Sequence, residues 1–295
     1  MVAGPFVGTV AASGVQEESL GAENEFTLQL LHFADIDGQP QAVDNVEDFS
    51  RLVNEFEGEH PHNTLLVSSG DNYIPGPRFF AAEDEAMGSL LGIPGQGRAD
   101  ILFLNEMEVA ASAVGNHDLD NSPEGFVSAV APQTEGDNHY PGARFPFLAA
   151  NIDFSTDENT APLTVEGGRV TDGIPARFAP SAVTVVGGEV IGLVGATTPQ
   201  LSSITSTGNL EITPDSDSVE ELAAVIQPAV DSLTERGVDK IILLAHMQQI
   251  SVERELAGEL SDVDVIVAGG SNTILADETD ALWPDDEAAD TYPVE

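Results

Sequence analysis

The amino-acid sequence predicts an α/β fold, with a mixed or parallel sheet covered by helices. Three observations carry this. From Phe26 onward, short apolar runs of strand character alternate with helix-like segments, the pattern of β-α-β units. Apolar residues make up 41% of the 295 residues, enough to bury a sizeable core in one large domain or two small ones. Polar, metal-capable residues sit just past several apolar runs, and ligands of open α/β sheets bind at the carboxyl ends of strands. Aromatic residues are only 6% of the chain, so the core must be built mainly from Val, Ile, Leu and Ala.

Residues 1–25 lack pattern and end in an acidic stretch, which predicts a flexible arm before a domain spanning 26–295. Leu28 to Ala34 reads as a buried strand. Asp44 to Glu59 reads as an amphipathic helix with Asp44 as N-cap, Glu47 three residues on, and an apolar face of Val46, Phe49, Leu52, Val53 and Phe56. Thr64 to Ser69 is the next strand, Ala99 to Glu108 a helix and Val109 to Val114 a short strand. Residues 131–146, rich in Pro, Gly, Asp and Asn, read as a loop, and Phe147 to Ile152 as a strand. A β-rich stretch near 163–187 precedes the strand Glu189 to Ala196. Ser218 and Glu221 open a long helix in a capping-box pattern, which Gly237 closes. Val238 to Ala245 is a strand, 249–260 a helix and Val263 to Ala268 a further strand. There is no internal repeat.

The charge balance narrows the partners. There are 51 Asp and Glu against 9 Lys and Arg, a formal net charge of -42, and Lys240 is the one lysine. Self-repulsion of this size destabilises a compact state at low ionic strength and is screened at high salt, so we expect a halophile's protein that needs salt to stay folded. Ordinary, periodic apolar content argues against a disordered acidic chain. Binding of nucleic acid or an anionic membrane through a basic patch is excluded. Without cysteine there are neither disulfides nor thiolate metal sites. No apolar run approaches the roughly 18 residues of a membrane-spanning helix, and Met1 to Val15, small and mildly apolar without a basic start, reads as a poor secretory signal or the trimmed remnant of one. Composition leaves the oligomeric state open.

Five segments carry chemistry. In Ala34-Asp35-Ile36-Asp37-Gly38, two carboxylates at i, i+2 leave a strand and can reach one cation; alone, the segment reads as an Asp-Gly turn. Ser69-Gly70-Asp71-Asn72-Tyr73 makes a tight strand exit that points Asp71 into a crevice. Gly115-Asn116-His117-Asp118-Leu119-Asp120 packs an amide oxygen, an imidazole and two carboxylates into five residues, in a chain with only six His. His246 ends the apolar run of Leu244-Ala245, where it is either a satisfied core residue or a ligand. Ala268-Gly269-Gly270-Ser271-Asn272-Thr273 follows another strand and alone reads as a glycine-rich turn. Five such placements at strand ends, two bearing His, are hard to reach by chance.

In order and approximate spacing, from about Leu28 to Asn272, these segments resemble the motif set of calcineurin-like metallophosphoesterases, specifically the 5'-nucleotidase group. Pro146-Phe147-Leu148-Ala149-Ala150-Asn151 and Gly192-Leu193-Val194-Gly195-Ala196-Thr197-Thr198 are similar to that family as well. The resemblance implies a four-layer α-β-β-α sandwich and a hydrolase of phosphate esters, of 5'-nucleotidase, phosphomonoesterase or cyclic phosphodiesterase type. Its cofactors would be two divalent ions (Mn, Mg, Ca or Zn), with a metal-bound hydroxide attacking phosphorus. It implies one metal on Asp35, Asp37 and Asp71 and another on Asp71, Asn116 and His246, bridged by Asp71, with Asn272 from the fifth motif completing the ligands. His117 would bind phosphate or protonate the leaving oxygen, and Asp120 would orient it. Arg78 can meet a phosphate oxygen or lie on the surface. The substrate so implied is a small-molecule phosphate ester or nucleotide.

Three positions depart from the family. Asp37 stands where most relatives have His, a harder site that favours Mg, Mn or Ca over Zn. Asn272 stands where the last His is usual, and Gly270 where the other is. The second metal then loses a ligand unless water, Asp277 or Glu278 replaces it. The Gly-Gly-Ser-Asn-Thr run is similar to that of a variant subgroup. The chain ends at Glu295, soon after the fifth motif, with no separate nucleoside-gripping domain, so a fragment or another mode of nucleoside recognition is expected. Relatives are mostly exported, which points to a secreted, periplasmic or surface location; a halophile's cytosol is the alternative. The competing reading is a catalytically impaired metal- or ligand-binding module, or an inactive piece of a longer enzyme.

Overall fold

A computed structural model describes residues 26–294 apart from Trp283. The expected arm at 1–25 lies outside the described residues. The strands that build the sheets are β1 (Gln29–Phe33), β2 (Thr64–Ser68), β3 (Ser112–Ala113), β4 (Phe147–Leu148), β5 (Arg169–Val170), β6 (Phe178–Ala179), β7 (Ser181–Val186), β8 (Glu189–Thr197), β9 (Ile241–His246) and β10 (Val265–Gly269). The longer helices are α1 (Pro40–Glu59), α2 (Arg98–Glu106), α3 (Ser122–Val130), α4 (Val219–Thr234) and α5 (Ile250–Glu259).

One sheet runs β1-β2-β3-β4-β6, all parallel. The other runs β10-β9-β8-β7-β5, parallel except for the β7–β8 hairpin. Side chains alternate across each strand, and this divides continuous apolar runs between two cores. Leu65 and Val67 of β2 face Leu193, Ile242, Leu244 and Val267 of the second sheet. Leu66 turns the other way, with Phe147 and Phe178, onto Ile101 and Leu104 of α2 and Phe126 of α3. In β9, Leu243 and Ala245 pack beneath Leu222, Ile226 and Val230 of α4 and Leu256 of α5. The result is a four-layer α-β-β-α sandwich.

Several elements differ from expectation. The first helix begins at Pro40, with Gln39 as N-cap, because proline lacks the N–H that a first helical residue leaves unpaired. Asp44 is therefore inside the helix. Of its expected apolar face, Val53 is buried and Phe49 packs edge-on against Phe33, whereas Leu52 and Phe56 are exposed. The loop 131–146 contains an antiparallel hairpin, Gln133–Glu135 with Asn138–Tyr140, and buried Tyr140 donates its hydroxyl to Ala129 O. Phe147 to Ile152 splits between two sheets: Ile152–Asp153 pairs with Glu211–Ile212. Half of the expected capping box forms: Ser218 Oγ accepts the Glu221 N–H at 3.2 Å, but the Glu221 carboxylate takes the Ser216 hydroxyl at 2.6 Å and the Ser218 N–H donates to Ser216 Oγ instead. Among the described residues no helix is long and apolar enough to cross a membrane.

The site follows from the topology. β1, β2 and β3 end just before the first three chemical segments, β9 ends on His246 itself, and β10 ends within the fifth segment, at Gly269. Ser69 ties the two sheets together there, donating its hydroxyl to Val267 O at 3.0 Å.

Candidate metal centre

The loops after β1, β2 and β3 are interlocked by backbone contacts. Asp35 N–H donates to Gly70 O at 3.2 Å and Ile36 N–H to Asp71 O at 2.9 Å. Asp35 and Asp71 both sit at positive φ, 58° and 53°, as do Gln248 and Asn272 at 68° and 51°. Left-handed backbone at non-glycine residues costs about 1–3 kcal/mol each and persists only where the surroundings enforce it. Gly115 is required by crowding: a Cβ there would lie 2.1 Å from Asp71 Oδ1. Buried Asp118 is the clamp. Its carboxylate accepts N–H groups from Asp71 (3.1 Å), Asn72 (3.3 Å) and Gly115 (2.8 Å). Burial first, then the nearby Asp71 charge, push Asp118 up to about 7 against the pull of those donors.

The ligand atoms converge above this clamp. Asp35, Asp71 and His246 each place one ligand atom within 4.8 Å of the others. His246 is fully buried; its Nδ1 donates to Ser69 O at 2.7 Å, which turns Nε2 toward Asp71 Oδ2 (3.1 Å) and Asn116 Oδ1 (3.2 Å). Asp71 Oδ1 accepts the His117 N–H at 2.7 Å, while buried Asp71 Oδ2 has the His246 imidazole as its polar neighbour and no further hydrogen-bond donor among the described residues. Two oxygens and an imidazole nitrogen thus face one another around an electron-rich point. Buried acceptors left in this state are costly, and a cation relieves them. Burial opposes charge on His246, but Asp71, the Ser69 carbonyl and Asp35 prevail and raise it to about 9. The chain's own field therefore draws positive charge to this spot, and the mixed oxygen and nitrogen donors suit a divalent metal. Asp35 Oδ2 accepts the Gly270 N–H at 3.0 Å, and burial raises its pKa.

Beside this cluster His117 Nδ1 meets Asp120 Oδ2 at 2.6 Å, and Asp120 Oδ1 accepts the Thr205 hydroxyl at 3.2 Å. Half-burial works against charge on His117, but the Asp120 hydrogen bond and the Asp71, Asp120 and Asp118 charges outweigh it, and its pKa is raised. An imidazole oriented through Nδ1 keeps Nε2 for another partner.

Comparison with known proteins gives this arrangement its lineage. No family model matches the chain. It is 30% identical over 270 residues to the Homo sapiens 5'-nucleotidase, covering 86% of this chain and 39% of that protein. Identity to the Bos taurus 5'-nucleotidase is 28% over 235 residues, covering 80% and 34%. A crystal structure of a 5'-nucleotidase precursor from Thermus thermophilus superposes with a TM-score of 0.65 at 27% identity, covering 90% of this chain and 45% of that one. The chain is a homologue of the 5'-nucleotidases. It spans between about a third and two fifths of the length of these curated relatives.

Against this 5'-nucleotidase frame, the structure brings Asp35, Asp71, Asn116 and His246 together and sets His117 with Asp120 beside them. Asp37 stands apart: it is exposed, and its Oδ1 accepts the Gln39 N–H at 2.9 Å. Asn272 is exposed as well. Arg78 is mostly buried rather than on the surface. Its guanidinium pairs with Asp100, and the side chains are 18% and 3% exposed. Burial raises Asp100 to about 6 even beside that cation. Asp277 caps its own turn, accepting the Thr279 N–H and hydroxyl at 2.7 Å, and it and Glu278 are exposed, so neither fills the place beside Gly270. The group that does is Gln248, whose amide donates to Asn116 Oδ1. Sequence reasoning missed Gln248, Thr205 and the clamping role of Asp118. Only Asp118 carried a signal, its place within the Asn-His-Asp segment.

Proposed function

We propose that this 5'-nucleotidase homologue forms the metal-binding part of a divalent-metal-dependent hydrolase of small phosphate esters, nucleotides among them. The observation that carries the reading is the convergence of Asp35, Asp71 and His246 ligand atoms within 4.8 Å, with His246 Nε2 also meeting Asn116 Oδ1, next to the His117–Asp120 pair. Asp35, Asp71, Asn116 and His246 would hold the metal, with Asp71 placed to share its two oxygens. Divalent cations, when bound, supply Lewis acidity toward phosphoryl oxygens and neutralise developing charge.

The protein's own part is positioning and proton delivery. His117 Nε2 carries a proton toward the leaving oxygen of the ester, Asp120 balances the imidazolium through Nδ1, and Thr205 fixes Asp120. Burial works against charge on His117, but the Asp120 hydrogen bond and the neighbouring carboxylates raise its pKa and so favour the protonated form. Asn116 lines the same edge, so an ester oxygen can meet both residues.

The test is hydrolysis of an aryl phosphate and of a nucleoside monophosphate with added Mn2+, at high salt because of the -42 net charge. Turnover is expected, and Asp71→Asn reduces it to background. Absence of turnover in a folded protein that still binds Mn2+ would instead favour a non-catalytic binding module.

A further inference from the structure

Gln248 is held in an uncommon way. Its backbone has φ 68°, a left-handed conformation in a non-glycine residue, two positions past a metal-facing imidazole. That conformation turns its side chain back into the centre, half-buried, where the amide meets Asn116 Oδ1. Across the site Gly270 has φ 80°, and a Cβ on it would lie 2.7 Å from both Gln248 Nε2 and His246 Nε2. The space over residue 270 is therefore closed to a side chain from β10's loop and already taken by one from β9's. Among the described residues, the amide of Gln248 is the polar group that borders both His246 and Asn116 from this side.

The two ends of a glutamine amide are interchanged by a half-turn about its last side-chain torsion, and hydrogen-bond surroundings decide which faces inward. Around bare acceptors such as Asn116 Oδ1 the NH2 end faces in. Around a cation the oxygen end is favoured. We propose that Gln248 is a metal ligand through its amide oxygen, completing the shell of the cation held by Asp71, Asn116 and His246 from a position where residue 270 has no room to contribute. This inference rests on the metal reading given above.

The experiment is calorimetric titration of the whole chain with MnCl2 at high salt, with circular dichroism confirming the fold of each variant. Gln248→Ala is expected to lose one Mn2+ or to bind it at least about tenfold more weakly, the lower end of what disturbing a metal's supporting groups costs. Gln248→Glu separates a ligand from a mere hydrogen-bond donor. It offers a charged oxygen and no N–H, so a ligand role predicts affinity equal to or tighter than that of the unaltered chain. Weakening of Gln248→Glu to the level of Gln248→Ala would show that the amide only donates to Asn116 and would overturn the proposal. So would unchanged binding by Gln248→Ala. If the unaltered chain binds no Mn2+ at all, the metal reading itself fails and takes this inference with it; binding by the unaltered chain that Asp71→Asn abolishes keeps the two questions separate.

Discussion

The two sides of the candidate centre are built differently. On the side of Asp71, Asn116 and His246 the donors are buried and cross-braced: a carboxylate clamp from Asp118, a carbonyl behind the imidazole, and a glycine at 115 that lets two loops touch. On the side of Asp37 and Asn272 the side chains are exposed and stand on turns, with Asp37 spent on capping Gln39. Asp35 lies between, its carboxylate accepting one hydrogen bond, from Gly270 N–H. Ligand strength follows preorganisation, and the braced side is where burial makes an unpaired donor set costly. The comparison predicts that the braced side dominates cation affinity and that the open side tunes it.

The largest effect is expected at the edge of the braced side. His117→Asn removes the proton donor and should lower kcat about a hundredfold or more while leaving Mn2+ binding intact, as checked by parallel kinetics and calorimetry. Joint loss of both would place His117 among the ligands. Next, Asp118→Ala strips the acceptor from three buried N–H groups and should cost about 3 kcal/mol or more of stability, read as a lower melting temperature and denaturation midpoint. A change near zero would mean that the loops are held by the sheets alone.

Smaller effects sharpen the contrast. The pKa of His117 is raised, so activity should fall on the alkaline side as the imidazolium loses its proton, at a higher pH than for an unperturbed imidazole. Asp120→Asn removes the main raising partner, and the alkaline limb of the pH profile should move to lower pH. An unmoved limb would assign that limb to another group. Smallest of all, Asp37→Ala should change Mn2+ affinity by about 0.5 kcal/mol, roughly twofold, as an exposed substitution does. A loss as large as that at Asp71 would show that the open side closes on the metal and would break the comparison.

Local pattern was enough for the layered core and for the loops that matter. The apolar runs ending at Ser68, His246 and Gly269 read directly as strands, because side-chain alternation and burial act over a few residues. The same locality explains why Asp35, Asp71, Asn116 and His246 stood out: each sits at or just past the end of a strand, and strand ends in parallel sheets share a rim. Short β3 and the hairpin within 131–146 were less legible, since two or three residues carry no period. Pro40 was a missed start signal whose meaning is also local.

What the sequence by itself determined, then, is which residues are offered at the rim and in what order. Tertiary structure alone decided which of them come together. Arg78 is withdrawn to Asp100, Asp37 turns to its own loop, and Gln248 enters beside Gly270 from another strand. Those outcomes depend on Cβ-scale distances between segments more than a hundred residues away from one another in some cases, such as Asn116 and Gln248, separated by 132 positions. No window of sequence contains that information, because it arises only when two sheets pack and their loops compete for the same few ångströms.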